Sequence, residues 1–231
     1  MQNALIRTEN LTKTFILGKE KVIALNDVSI SVEKGCICAV LGTSGSGKST
    51  LLNMLAGLER PTAGAVYIGR HRIDTMTERE LTLFRQRFTG FVFQSYNLIP
   101  SLTALENVAM PLMFRGVDKE EREARALEML RLVGLENRKD HRPGEMSGGQ
   151  QQRAGIARAF VTRPQVIFAD EPTGNLDSET TRNVMELSRS LVRENNGTMI
   201  LVTHDNSVAT YADKIIEITD GKITKETEVI K

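Results

Sequence analysis

Apolar residues recur along this chain with three different spacings, and each spacing predicts a different element. Residues 24–32 (ALNDVSISV) largely alternate and are rich in β-branched side chains, the pattern of a half-buried strand. Residues 36–41 (CICAVL) form an unbroken apolar run ending at Gly42, as a strand covered on both faces would. Residues 66–68, bracketed by Gly64 and Gly69, make a further short strand, and residues 50–57 read as a short helix stopped by Gly57. In the middle the spacing lengthens. Ala126, Met129, Leu130 and Val133 fall at i, i+3, i+4 and i+7 of a helix over 118–133, with Gly134 as its stop. Glu120, Glu121 and Glu123 crowd its first turns, where the helix dipole favours acids. A second helix is expected from near Ser147 through Phe160. The last third returns to strand 166–169 (VIFA), a helix capped by Asp177 or Ser178 with Val184, Leu187, Leu191 and Val192 as its stripe, and strands 199–202 and 215–218. This alternation predicts a parallel sheet covered by helices: one α/β core with a helical insertion at about 95–160.

Composition narrows the class without naming one. The 231 residues are 40% hydrophobic and 26% charged, with 30 basic against 29 acidic side chains and a net charge of +1. Such a chain buries a core without disulfides or metals, and it has no bulk electrostatic grip on nucleic acid or anionic lipid. No nucleic-acid partner is expected. The charged segment 118–139 carries six acids and six bases, a solvated helical face. No apolar stretch approaches the roughly 18–20 residues that cross a bilayer. The opening MQNALIRTEN lacks the basic and apolar regions of a signal peptide, so a cytosolic location is expected. Cys36 and Cys38, two apart in a strand-like run, are expected to be buried thiols on one face.

The chemistry lies at the strand ends. Gly42, Thr43, Ser44, Gly45, Ser46, Gly47, Lys48 and Ser49 match G-x-x-x-x-G-K-[ST] between a buried strand and a short helix. Glycines let successive N–H groups turn toward phosphate oxygens, and the helix start adds its positive dipole end. Lys48 is expected to reach the β- and γ-phosphates, and Ser49 to ligate Mg²⁺. A second apolar strand runs directly into Asp170 and Glu171. Asp170 suits the Mg²⁺ shell and Glu171 suits a general base that polarises water. An acidic turn after a strand is a common surface feature, and the upstream phosphate loop is what favours catalysis. His204 follows strand 199–202 through Thr203, at the edge expected to carry Gly47 and Asp170; alone, it reads more readily as structural. Gln94 after 91–93 is equally ambiguous, while His71 and His141 are expected at the surface.

Residues 146–153 (MSGGQQQR) open the second helix of the insertion, with Ser147 as N-cap and Gly148 and Gly149 leaving N–H groups open to an anion. Two anion-binding helix ends on one chain make sense if two copies pair head to tail and share two nucleotides. With these segments in order, the sequence resembles the nucleotide-binding subunits of ABC transporters over essentially its whole length. Residues 42–50 correspond to Walker A, Gln94 to the Q-loop, 146–150 (MSGGQ) to the signature, 166–171 to Walker B, 174–177 (GNLD) to the D-loop, and His204 to the switch histidine.

The resemblance implies a P-loop core with a mostly parallel sheet, an N-terminal antiparallel β subdomain and a helical insertion. A single ABC ATPase domain would span 1–231, with 1–94 and 161–231 as core and 95–160 as the helical subdomain. It implies ATP and Mg²⁺, with Ser49, Gln94 and Asp170 toward the metal and Lys48, Gln94, Glu171 and His204 in hydrolysis. Phe15 would stack on adenine, where the family usually has Tyr. Thr50 would complete the phosphate loop. Ser147, Gly148, Gly149 and Gln150 would meet the nucleotide held by a second copy, and Asp177 would cross that interface. Met146 stands where Leu is usual, a volume-conserving change. The expected partners are a second copy and a membrane permease, holding the chain at the inner face of the membrane. Residues 93–112, the HRP at 141–143 and residues 169–177 resemble the subgroup of MacB-like macrolide exporters, lipoprotein-releasing ATPases and FtsE-type ATPases. A soluble, non-transport ABC ATPase is the remaining alternative.

Overall fold

The long first strand, β1 (Ala4–Leu17), is the spine of an antiparallel sheet. It pairs with β2 (Glu20–Val28) and β5 (Ala63–Ile68), β6 (His71–Arg72) adds to β5, and β3 (Ser31–Glu33) pairs separately with β1. Residues 4–18 and 20–229 are described by the computed structural model. The strand expected over 24–32 is thus two strands. Thr8, 2% exposed, explains the break: its hydroxyl accepts from the Ile30 N–H and donates to the Val28 carbonyl, both at 3.0 Å. A side chain from β1 replaces the ladder where β2 would otherwise continue.

The chain divides into two compact units: residues up to Arg85 with those from Thr198 onward, and Gln86–Gly197. The first unit also holds β4 (Ile37–Leu41), paired in parallel on one side with β9 (Thr198–Thr203) and on the other with β10 (Lys214–Thr219). The edge strand β11 (Lys222–Glu228) pairs antiparallel with β10 through a turn in which Asp220 and Gly221 both have positive φ. Strand β9 is buried at every position, and Cys38, Ala39 and Val40 of β4 are fully buried, as a central parallel strand requires. Burial pushes the Cys38 thiol far above its ordinary range, while Cys36, just before β4, is only half buried. Helix α1 (Lys48–Leu55) packs on β9.

The second unit is a parallel pair, β7 (Thr89–Phe93) and β8 (Val166–Asp170), with four helices. Helix α2 (Glu78–Phe88) leads into it, followed by α3 (Ala104–Phe114), α4 (Lys119–Leu132), α5 (Gly148–Phe160) and α6 (Ser178–Glu194). Helix α5 packs against β7, α3, α4 and α6 and is the centre of this unit. Ala126 and Leu130 of α4 are fully buried, as the helical spacing requires. Neither α2 nor α3 is among the helices expected above, although Leu81, Phe84 and Phe88 of α2 and Leu105, Val108, Ala109 and Leu112 of α3 have helical spacing; α3 contains Pro111, and a Thr103–Glu106 capping box fixes its start. Fully buried Asn107 pins the loop before it, accepting from the Ile99 N–H at 2.7 Å and donating to the Ile99, Leu102 and Thr103 carbonyls.

Candidate functional site

In the first unit, β4 ends at Leu41 and the chain enters the glycine loop before α1. Gly45 and Gly47 have φ of +80° and +102°, the left-handed region that glycine occupies without steric cost. At Gly47 the need is also spatial, because a Cβ would lie 2.4 Å from the Ala24 carbonyl oxygen of β2. A Cβ at Gly42 would lie 2.4 Å from the Ile218 carbonyl oxygen and 2.6 Å from Ser46 Oγ. The loop is held from behind, where the Gly221 N–H donates to the Ser46 carbonyl at 3.0 Å. No side chain caps α1. Lys48 is 5% exposed and donates from Nζ to the Thr43 carbonyl at 2.8 Å. Buried Ser46 Oγ has no hydrogen-bond partner among the described residues. Thr43, Ser44, Gly45 and Ser49 are exposed and Thr50 is half buried. An uncapped helix start, two left-handed glycines, a curled lysine and an orphaned hydroxyl together fit a polyphosphate.

The parallel register sets Leu41 opposite Thr203, so Gly42 and His204 leave the same edge of adjacent strands. His204 is exposed. The following Asp205 caps α7 (Asn206–Ala209), and the Ser207 hydroxyl and N–H hold its carboxyl below the usual carboxylate range. Phe15 is half buried opposite Val22, two residues along β2 from the Ala24 carbonyl that faces Gly47. Two residues of strand span about 7 Å. The Lys13 Nζ lies 4.9 Å from the Phe15 ring centroid, so the face of that ring already attracts a cation.

In the second unit, Phe93 is registered with Asp170, and Gln94 and Glu171 follow at one edge. Glu171 has φ of +43°, left-handed for a non-glycine residue, and its carbonyl accepts from the Gly174 N–H at 3.1 Å. Asn175 Nδ2 donates to the Gln94 carbonyl at 3.1 Å, and a Cβ at Gly174 would lie 2.8 Å from Gln94 Nε2. The GNLD segment therefore lies directly on Gln94.

Helix α5 begins with a complete capping box: Ser147 Oγ accepts from the Gln150 N–H at 3.3 Å, and the Ser147 N–H donates to Gln150 Oε1 at 3.0 Å. Asp177 caps α6, accepting from the N–H groups of Glu179 and Thr180 and from the Thr180 hydroxyl. The two helix starts adjoin, since a Cβ at Gly149 would be 2.6 Å from Thr180 Cγ2. Between them lies a cavity of 340 Å³ lined by Ser147, Gly148, Gly149, Gln150, Asn175 and Asp177, with neighbours from α6.

The structure thus gathers Gly42–Thr50 with His204, Gln94 with Asp170 and Glu171, and the signature residues with Asp177. Asn175, which tethers Gln94, belongs to the GNLD segment but carries no sequence signal of its own. Of the two histidines expected at the surface, His71 is exposed and stacks edge-on with Phe84, and His141 is half buried. Among the described residues, no helix is long and apolar enough to cross a membrane.

The sequence profile described as ABC transporter matches residues 25–174. The uncharacterized ABC transporter ATP-binding protein MJ0796 of Methanocaldococcus jannaschii is 45% identical over 229 residues, covering 97% of each chain. A solved dimeric structure of MJ0796, in a post-hydrolysis state bound to ADP and Pi, superposes with a TM-score of 0.91 at 43% identity, over 98% of this chain and 99% of that one. The lipoprotein-releasing system ATP-binding protein LolD of Chromohalobacter salexigens is 43% identical over 96% of this chain and 94% of its own. The macrolide export ATP-binding/permease protein MacB of Vibrio parahaemolyticus is also 43% identical over 98% of this chain, which spans 35% of MacB.

Proposed function

The chain belongs to the ABC transporter family, and from that premise we propose how its residues bind and hydrolyse ATP. It is the ATP-binding subunit of a transporter and an ATP hydrolase. The observation that carries the residue assignments is the open glycine loop at the start of α1 with Lys48 curled inside it. Lys48 releases the Thr43 carbonyl and turns to the β- and γ-phosphates, while the loop N–H groups and the uncapped helix start take the remaining oxygens. Phe15 stacks on the base. Ser49, Asp170 and Gln94 carry the oxygen donors that would hold Mg²⁺, which would neutralise phosphate charge. Glu171 accepts the proton of the attacking water, and His204 contacts the γ-phosphate from the strand end beside the loop.

Two copies of the chain pair head to tail, and each presents Ser147, Gly148, Gly149 and Gln150 to the nucleotide of the other, with Asp177 at the interface. The dimeric state of MJ0796 supports this arrangement. A separate permease holds the subunits at the inner face of the membrane. The driven work is MacB-like export or force transmission to an extracytoplasmic domain. Lipoprotein release is the second reading, favoured by near-complete coverage of this chain and of LolD, whereas this chain spans only 35% of MacB.

Glu171→Gln tests the centre of this scheme. Hydrolysis measured by phosphate release falls by about 10²–10⁴-fold, the usual contribution of a positioned base, while ATP binding persists. Turnover near the wild-type rate would remove Glu171 from the role.

A further inference from the structure

The loop after Gln94 is fastened to α5 in a way that the ATP-site assignments do not use. Tyr96 and Asn97 are consecutive non-glycine residues with φ of +60° and +49°, a pair of left-handed conformations that needs outside support. Arg158, 8% exposed near the end of α5, supplies it by donating one guanidinium nitrogen to the Asn97 carbonyl and the other to the Tyr96 carbonyl at 2.8 Å. The planar fork suits two adjacent carbonyl oxygens, which a lysine ammonium cannot span in the same way.

Tyr96 then lies along one face of α5. A Cβ at Gly155 would be 3.6 Å from the Tyr96 carbonyl oxygen, and a Cβ at Gly148 would be 2.8 Å from the Tyr96 hydroxyl. Gly148, Gln152 and Gly155 share that face at i, i+4 and i+7. The two glycines leave room for the residue that crosses them. Gln152, between them, is fully buried with both amide atoms lacking hydrogen-bond partners among the described residues. Such a face is held to its position by its neighbours rather than by polar pairing of its own. Gln94, at the other end of the same turn, is itself gripped by Asn175 and Gly174.

We infer that Tyr96 and Arg158 form a strut joining the Gln94 loop to the signature end of α5, which makes both of them positioning residues for hydrolysis. Their class of action is mechanical: a phosphate brought to Gly148 and Gly149 by a second copy bears on the Tyr96 hydroxyl, and the strut passes that displacement to Gln94. The inference rests on the roles proposed above for Gln94 and the signature glycines.

The test is steady-state ATP hydrolysis by the full chain carrying Tyr96→Ala, Arg158→Lys, Gln94→Ala or the Gln94→Ala/Tyr96→Ala pair, each checked by thermal unfolding. Tyr96 is half exposed, so its truncation spares the core. Tyr96→Ala and Arg158→Lys are each expected to lower kcat about 10-fold, the scale of losing a supporting partner, with KM for ATP unchanged. The double variant is expected to be no slower than Gln94→Ala alone, because the strut acts through Gln94. Folded Tyr96→Ala with wild-type kcat, or additive losses in the double variant, overturns the strut while leaving Gln94 in its role. Wild-type kcat in Gln94→Ala overturns the Gln94 reading and the strut with it.

Discussion

At the start of α1 no side chain caps the helix, Gly47 sits at φ +102°, and a buried Ser46 hydroxyl has no partner among the described residues. At the start of α5 the chain completes itself: Ser147 and Gln150 exchange two hydrogen bonds in a capping box. Both are glycine-flanked helix ends with the dipole field that attracts phosphate. The first has no side-chain cap at all, whereas the second pairs two of its leading N–H groups, those of Ser147 and Gln150, and keeps those of Gly148 and Gly149 for a ligand. The difference matches the order of events in a shared site. The glycine loop must capture ATP by itself, whereas the signature end must remain ordered until a second copy delivers a phosphate.

Glycine substitutions separate the two ends most sharply. Gly47→Ala places a Cβ 2.4 Å from a backbone carbonyl and forces an L residue to φ +102°, so the loop itself must distort. Losing loop donors on this scale is expected to lower kcat/KM by about 10²–10³-fold, with ATP binding to the single chain lost as well. At Gly149 the obstruction is a side-chain methyl, that of half-buried Thr180 at 2.6 Å, rather than backbone, and no left-handed φ is required. Gly149→Ala is therefore expected to bind ATP normally yet hydrolyse it slowly. Equal loss of nucleotide binding in both variants, read by equilibrium titration, would erase the distinction between the ends.

A smaller effect probes the capping box directly. Ser147→Ala removes the acceptor for the Gln150 N–H and should cost about 1 kcal/mol in denaturant unfolding. Helix α1 has no corresponding cap to lose. If Ser147→Ala were thermodynamically silent, the capping box would not order the start of α5, and the two ends would differ less than their geometry says.

Much of this contrast is legible in the residues, and the part that is not has a physical cause. The glycine loop, the strand into Asp170 and the Ser147 cap are local patterns in which spacing and residue type fix the backbone. Alternation alone carries strand β2 too far, because the group that ends it, the Thr8 hydroxyl, comes from β1, about twenty residues upstream in the sequence. Helix α3 carries helical spacing at Leu105, Val108, Ala109 and Leu112, but Pro111 inside it argues against a helix when read from sequence. The loop before it is organised by a buried amide, Asn107, that periodicity treats as an exposed polar residue. Arg158 and Tyr96 are invisible for the same reason. Their meaning lies in backbone carbonyls that another segment turns toward them, and no spacing along the chain encodes that.

The third helix start, α6, yields the smallest effect and depends on pH. Asp177 accepts from the Thr180 N–H, then from the Thr180 hydroxyl, and these bonds hold its carboxyl below the usual carboxylate range. A carboxyl depressed in the folded state stabilises fully above its unfolded value of about 3.9, and that contribution is lost as pH falls through the folded value. Asp177→Asn keeps an oxygen acceptor for the Glu179 and Thr180 N–H groups but cannot titrate. The difference in melting temperature between wild type and Asp177→Asn should therefore be constant from about pH 5 to 8 and should narrow in more acid solution. A difference that instead widened in acid would mean that the neutral carboxyl caps better than the charged one. The cap of α6 would then be tuned for something other than the order of the GNLD turn, and the contrast between finished and open helix ends would hold for α5 alone.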